Sequence, residues 1–298
     1  MNDKSESETK TIFANSAESV NTESQSPDSH TSSLPHAITP TSPPSSLPCV
    51  ILAGGKIKPE LAAAIGTSCR ALAVVRGRTL IRHVVDALLE GDSNCEITVI
   101  GDIPESPDYS LISDSGEFVS NVLAGANVYR DREFLLFATA DLPFLTGNSV
   151  REMRDKSHKL AVDSGAQVIF PVVPVASCYT RFPGIKRTAV KLKEGEFTGG
   201  NLMLIRPAFL LGQEANLKQL FAARKSPLKL AGMLGAPTLA QLILSRLLPS
   251  AKLTLPFLEA AASRMIGGMA RAIILDLPEI ATDLDRPSDF EAVQTMNI

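Results

Sequence analysis

The chain has 298 residues, 44% hydrophobic and 20% charged, enough to bury a substantial core in one large domain or two small ones. Its net charge of −3 gives no global attraction for nucleic acid or an anionic membrane, so any anion site must be a local basic pocket. No apolar run reaches the roughly 18 residues that cross a bilayer, and Cys49, Cys69, Cys95 and Cys178 form no Cys-x-x-Cys pair, which argues against a zinc knuckle or a disulfide framework and favours a reducing cytoplasm.

Residues 1–47 are dense in Ser, Thr and Pro, with Phe13 as the single aromatic and six acidic residues against two lysines. Such a segment cannot bury enough apolar surface to offset its ordering entropy, so it is expected to be disordered, and it matches neither a secretory signal nor an Arg-rich transit peptide. From residue 48 strands and helices alternate. Cys49 to Ala53 reads as a strand that breaks into Gly54-Gly55, with Lys56 and Lys58 just beyond. Leu80 to Leu89 has helical spacing and carries His83, which reads as a packing or surface residue. With His30 and His36 in the leader, a histidine metal centre has little material.

Glu96 to Gly101 reads as a second strand, Ser120 to Tyr129 as a helix, and Phe134 to Thr139 as a continuous apolar run of the kind found inside a parallel sheet. A helix after Asn148 and strands at Gln167 to Val172 and Leu202 to Arg206 follow. Residues 48–210 therefore predict the first part of an α/β fold: a doubly wound, mixed but mostly parallel sheet with ligands at the carboxyl ends of its strands. Residues 211–268 read as a helical insertion, with Leu217 to Ala223, a helix opened by Ser226-Pro227, Leu239 to Leu247, and Leu258 to Ile266 stopped by Gly267-Gly268. Residues 269–298 return to the sheet with Ala272 to Leu275 and close on a helix from Pro287 to Val293.

Several residues along this frame can carry chemistry. Backbone N–H groups at the Gly54-Gly55 break can converge on an anion, since glycine lets the main chain approach closely. Asp141, in Asp141-Leu142-Pro143 directly after the apolar run, sits where ligands bind, and its hard oxygens suit Mg²⁺; the alternative is a loop cap. Asp283 and Asp285 form an Asp-x-Asp turn before Pro287, able to hold an ion from two sides or to start a helix. Arg70 can neutralise a triphosphate or departing pyrophosphate, or be a solvated surface residue. Gly199-Gly200-Asn201 is a tight turn or a contact to an acceptor, and Arg187 and Lys191 upstream of it meet an anionic acceptor or water.

Together these pieces resemble the MobA-like nucleotidyltransferases, whose fold is related to that of the GT-A sugar-nucleotide enzymes. The resemblance runs from Val50 to about Arg206 and resumes at Ala272, about two-thirds of the chain. It is carried by Leu52-Ala53-Gly54-Gly55, Arg70-Ala71-Leu72, Gly77-Arg78-Thr79-Leu80-Ile81, Asp141-Leu142-Pro143 and Asp285-Arg286-Pro287-Ser288-Asp289. It implies an NTP, GTP or CTP, at Leu52 to Lys56 and Arg70, with Mg²⁺ on Asp141 and Asp285. Arg70 and Asp141 would be catalytic, and Arg187, Gly199, Gly200 and Asn201 would bind a small phosphorylated or hydroxylated acceptor. Two departures stand out: Lys56 to Leu61 lacks the family's Ser and Arg, and Arg70 replaces its lysine. Two other readings remain. A GT-A glycosyltransferase normally carries Asp-x-Asp where this chain has Asp-Leu-Pro, and the altered loop also fits a nucleotide-binding module without catalysis.

Overall fold

Every second residue of a buried strand faces the opposite side of its sheet, and here both sides are covered. The structure, a computed structural model, describes residues 46–55, 57–223, 233 and 253–296, all within the unit Ser42–Ile298. Lys56, the leader up to residue 45, and the helices expected at Ser226-Pro227 and Leu239 to Leu247 lie outside those residues. The strands are β1 (Cys49–Leu52), β2 (Val74–Val75), β3 (Arg78–Thr79), β4 (Ile97–Ile100), β5 (Ser110–Ile112), β6 (Leu135–Thr139), β7 (Val168–Pro174), β8 (Val190–Lys191), β9 (Glu196–Gly199), β10 (Leu202–Ile205) and β11 (Ala270–Ile274). The helices are α1 (Pro59–Ile65), α2 (Leu80–Gly91), α3 (Phe118–Val128), α4 (Gly147–Ser164), α5 (Val175–Arg181), α6 (Pro207–Leu211), α7 (Glu214–Ala223), α8 (Leu255–Ile266) and α9 (Pro287–Thr295).

Among the described residues nine strands form one sheet in the order β5-β4-β1-β6-β10-β7-β9-β8, with β11 paired to β7, while β2 and β3 make a separate hairpin. The β1–β4, β1–β6, β4–β5 and β7–β11 pairs are parallel; β10 runs antiparallel to β6 and β7, and β9 to β7 and β8. This is the mixed, mostly parallel sheet that the alternating pattern predicts. The apolar run is its β6: Leu136 and Ala138 enter one core with α2 and α4 residues such as Leu88 and Met153, and Leu135 and Phe137 enter the other with Val122 and Leu210. Burying each of these large side chains stabilises the fold by roughly 1.5–3 kcal/mol.

Local chemistry sets the element ends. α4 starts one residue before Asn148 because the Thr146 hydroxyl accepts the Ser149 N–H at 3.1 Å. α8 ends at Gly267, whose φ of 71° is the left-handed conformation that glycine adopts without strain. Helix α1 occupies the stretch between the glycine break and Arg70, with Pro59 at its start and Gly66 at its stop. His83 Nε2 lies 2.9 Å from the Val75 carbonyl, which ties α2 to the hairpin. No described helix is long and apolar enough to cross a membrane, and the four cysteines are free.

α3 crosses the sheet so closely that a Cβ on Gly125 would lie 2.6 Å from Val50 Cγ1 and 3.0 Å from Ile100 Cδ1. Gly125→Val forces the helix off the sheet, an overpacking cost of about 1–3 kcal/mol. Urea unfolding followed by far-ultraviolet circular dichroism should show the midpoint falling with little change in slope.

Candidate active site

Two loops at the carboxyl edge of the parallel strands bring distant carboxylates together. Asp141 is two residues past the end of β6. Its carbonyl accepts the Leu284 N–H at 3.3 Å, and the Leu284 side chain is fully buried, so the 283–285 turn is pinned beside it. Asp289, in the first turn of α9, accepts the N–H groups of Asp285 and Arg286 at 3.1 and 2.9 Å. An acidic side chain at a helix start thus holds the turn from the other side. The result is a cluster of Asp141, Asp283 and Asp285, with one oxygen from each lying within 4.8 Å of the others.

Two arginines compensate this charge. Arg70 Nη1 donates to Asp141 Oδ2 at 2.6 Å and also to Asp285 Oδ1, so one guanidinium nitrogen bridges two carboxylates 144 positions apart. Burial works against the Arg70 charge, but the attraction and hydrogen bonds of Asp141 and Asp285 prevail and raise its pKa above the usual value. Arg187 Nη1 lies 3.3 Å from Asp283 Oδ1, with a side chain only 3% exposed. Its Nε and Nη2 are buried without a hydrogen-bond partner. Burial pulls the Arg187 pKa down, and Asp283 opposes that pull. The carboxyl of Asp283 is itself pushed up to about 6, first by burial and then by repulsion from Asp141 and Asp285.

Beside the cluster lies a cavity of about 850 Å³ bordered by Leu52, Ala53, Gly54, Gly55, Arg70 and Asp141, six of the residues expected at the nucleotide or the metal. A second cavity of about 410 Å³ is lined by Lys58, Glu60, Arg70, Asp285 and Arg286, three cations against two carboxylates, a recess of modest basic excess. Arg70 lines both. Gly199, Gly200 and Asn201 border neither cavity; their link to the site runs through the backbone. The Asn201 carbonyl accepts the Thr139 N–H at 3.3 Å, and the Asn201 N–H donates to Ile280 at 2.7 Å. Arg187, expected to face an acceptor or water, is buried against Asp283 instead, because that carboxyl is the charge within its reach.

The glycine break holds an anion, and that anion belongs to the protein. Asp114 accepts the N–H of Gly55 at 2.9 Å, the N–H of Gly116 at 2.8 Å and the amide of Asn121 at 2.6 Å. These bonds, the Asn121 one largest, hold its carboxyl below the usual carboxylate range. Gly55 has a φ of +109°, which favours glycine, and a Cβ on Gly54 would lie 2.6 Å from the Asp114 carboxylate and displace it. Sequence reasoning missed Asp114. The signal was its position two residues past β5, a strand of three half-buried or exposed residues that gives no periodic pattern. It also missed Phe118 and Phe221, which line the larger cavity together with Lys218.

The donor set fits a divalent metal. Three hard carboxylates converge, and the buried Asp141 Oδ1 has no hydrogen-bond partner. Asp141 and Asp285 would hold the ion, with Asp283 as a third ligand. An open α/β sheet with a glycine break, a carboxylate cluster and a basic recess at its strand ends has the organisation of a nucleotidyltransferase. The chain belongs to the MobA-like NTP transferase family: the MobA-like NTP transferase domain matches residues 49–207, from the start of β1 to the start of α6. The chain is also similar to a hypothetical transferase from Thermus thermophilus, at 32% identity and a TM-score of 0.70 over 82% of this chain and 99% of that one. The structure of a CMP:2-keto-3-deoxy-manno-octonic acid synthetase complexed with CTP shares the fold at 12% identity and a TM-score of 0.50, over 84% and 96% of the two chains. No curated protein matches the sequence. The Asp283–Asp285 turn and α7 lie beyond the matched residues.

The raised Asp283 pKa has a stability consequence. An unfolded aspartate titrates near 3.9, so between about pH 4 and 6 the folded state holds a proton that the unfolded state has lost. Stability without metal should therefore fall as pH rises through that window. Asp283→Asn removes the titrating group, so its urea midpoint should lose this fall between pH 4 and 6, while the loss of the counter-charge of the buried Arg187 lowers its stability at every pH. Urea midpoints measured across that range in chelator check the sign.

Proposed function

We propose that this enzyme transfers a nucleoside monophosphate from an NTP, GTP or CTP, to a small phosphorylated or hydroxylated acceptor, with release of pyrophosphate and dependence on Mg²⁺. The observation that carries the reading is the junction of the carboxylate cluster, Arg70 and the glycine-edged cavity at one sheet edge. Bound on Asp141 and Asp285, Mg²⁺ would supply positive charge to the phosphoryl oxygens.

The chain's own groups do the rest. Gly54 and Gly55 let the backbone approach the phosphates, and Arg70, which borders both cavities, offers its guanidinium to the charge that develops on the departing pyrophosphate. Lys58 and Arg286 make the smaller recess favourable for that leaving group. An acceptor oxygen attacks the α-phosphorus while the bond to the β-phosphate oxygen breaks, and an acceptor that is already an ionised phosphate needs no base. Gly199, Gly200 and Asn201 lie on the other side of β6 from the glycine break, which suits an acceptor entering opposite the nucleotide. The residue 211–268 insertion shapes the cleft through α7, and a cytoplasmic setting agrees with the four free thiols.

A binding module without catalysis is the second reading, and one observation favours it: Arg70 occupies the space between the two metal-side carboxylates, and Asp114 occupies the Gly55 amide. Pyrophosphate release separates the readings, since a glycosyltransferase would release a nucleoside diphosphate and a silent module neither. With GTP, CTP and a panel of sugar phosphates and alcohols, the enzyme should release pyrophosphate only with Mg²⁺, and Asp141→Ala should lower the rate at least about 100-fold. Calorimetry that detects no NTP binding to the parent protein would refute both nucleotide readings.

A further inference from the structure

The cleft has two ends of different chemistry. Asp141 follows β6 in the middle of the sheet. Gly199 and Asn201 lie on the β10–β9 side of it, and the glycine break, Asp114 and the start of α3 lie on the β1–β4–β5 side. The larger cavity is lined by Arg70 and Asp141, by the glycine break and Asp114 on this second side, and by Glu117, Phe118, Lys218 and Phe221. The two rings stack with centroids 4.8 Å apart and planes 8° from parallel. Phe118 is the first residue of α3, and Phe221 comes from α7, which packs on α3 and α8.

Phe118 is 49% exposed, at the wall of a cavity lined by apolar residues such as Leu52, Ala71 and Val119 as well as by Arg70, Lys218, Asp114, Glu117 and Asp141. A half-exposed phenyl ring suits a planar apolar surface, and the charged end of the cavity suits a polyanion. A ligand that joins both is a nucleoside polyphosphate, with its phosphates at the Arg70 end and its base at the rings. Behind the rings an apolar groove of about 390 Å³, lined also by Val122, Leu217, Leu220 and Met265, leaves them room to settle against a base.

We infer that Phe118 and Phe221 form an aromatic wall on which the nucleobase stacks, so that α7 is a determinant of nucleotide affinity. The inference rests on the nucleotidyltransferase reading and adds to it the residues that hold the base. Stacking tolerates any base, so the wall sets affinity for nucleotide over bare polyphosphate rather than the choice between GTP and CTP.

Calorimetry in Mg²⁺ tests it, with α,β-methylene analogues of GTP and CTP as one set of titrants and inorganic tripolyphosphate as the other. Phe221→Ala and Phe118→Ala should each weaken analogue binding about 5- to 150-fold and leave tripolyphosphate binding within twofold. Phe221→Tyr, which keeps the ring, should bind like the parent, and Phe221→Leu, which keeps apolar volume but no π-face, should resemble Phe221→Ala. Equal losses for analogue and tripolyphosphate, unchanged analogue affinity, or parent-like binding by Phe221→Leu would each overturn the aromatic wall. So would a rise in acceptor KM with nucleotide affinity intact, which would assign the rings to the acceptor. A parent protein that binds no analogue at all would instead overturn the underlying nucleotide reading.

Discussion

Three aspartates confined to one small volume are the constraint from which the rest of this structure follows. Two unit charges 4 Å apart repel by about 4 kcal/mol at the effective dielectric of a protein surface, so no fold holds three such groups without compensation. Here the compensation is explicit. Arg70 bridges Asp141 and Asp285, and a nearly buried Arg187 sits against Asp283. Two cations against three carboxylates leave one charge unmatched, and burial first, then repulsion from Asp141 and Asp285, raises the Asp283 pKa. The Leu284–Asp141 backbone bond and the Asp289 cap keep the turn from springing apart.

The glycine break poses the same problem with the sign reversed. Its amide is a donor in search of an anion, and Asp114 supplies one from the end of β5. The glycine break, through Asp114, and the carboxylate cluster, through Arg70, thus each find a partner of opposite charge within the chain. In the smaller recess Lys58, Arg70 and Arg286 face Glu60 and Asp285, so its basic excess is one charge.

The legible parts of the sequence were those with a strong local signal. The β6 run is apolar on both faces, so Phe134 to Thr139 announced a central strand, with Asp141 just past its end. Asp285 was legible from the Asp-rich start of α9, but its meeting with Asp141 was legible only through resemblance, because the 143 intervening residues carry no pairing code. Arg187 shows the limit of composition. In sequence it is one basic residue among several, and only packing against Asp283 turns it inward. Asp114 and Phe221 were illegible because the first follows a short edge strand and the second belongs to a helix that reads as ordinary amphipathic packing. Helix α1 was unread because its seven residues lie in a stretch that otherwise looks like a variable phosphate loop.

The most direct test of the carboxylate cluster is anomalous diffraction at the manganese edge, from crystals of the parent enzyme grown with Mn²⁺ and a non-hydrolysable NTP. The account predicts a peak within coordination distance of Asp141 and Asp285, with the Arg70 guanidinium moved from between them onto the phosphates. A manganese peak elsewhere, or Arg70 still bridging the two carboxylates with nucleotide bound, would contradict it.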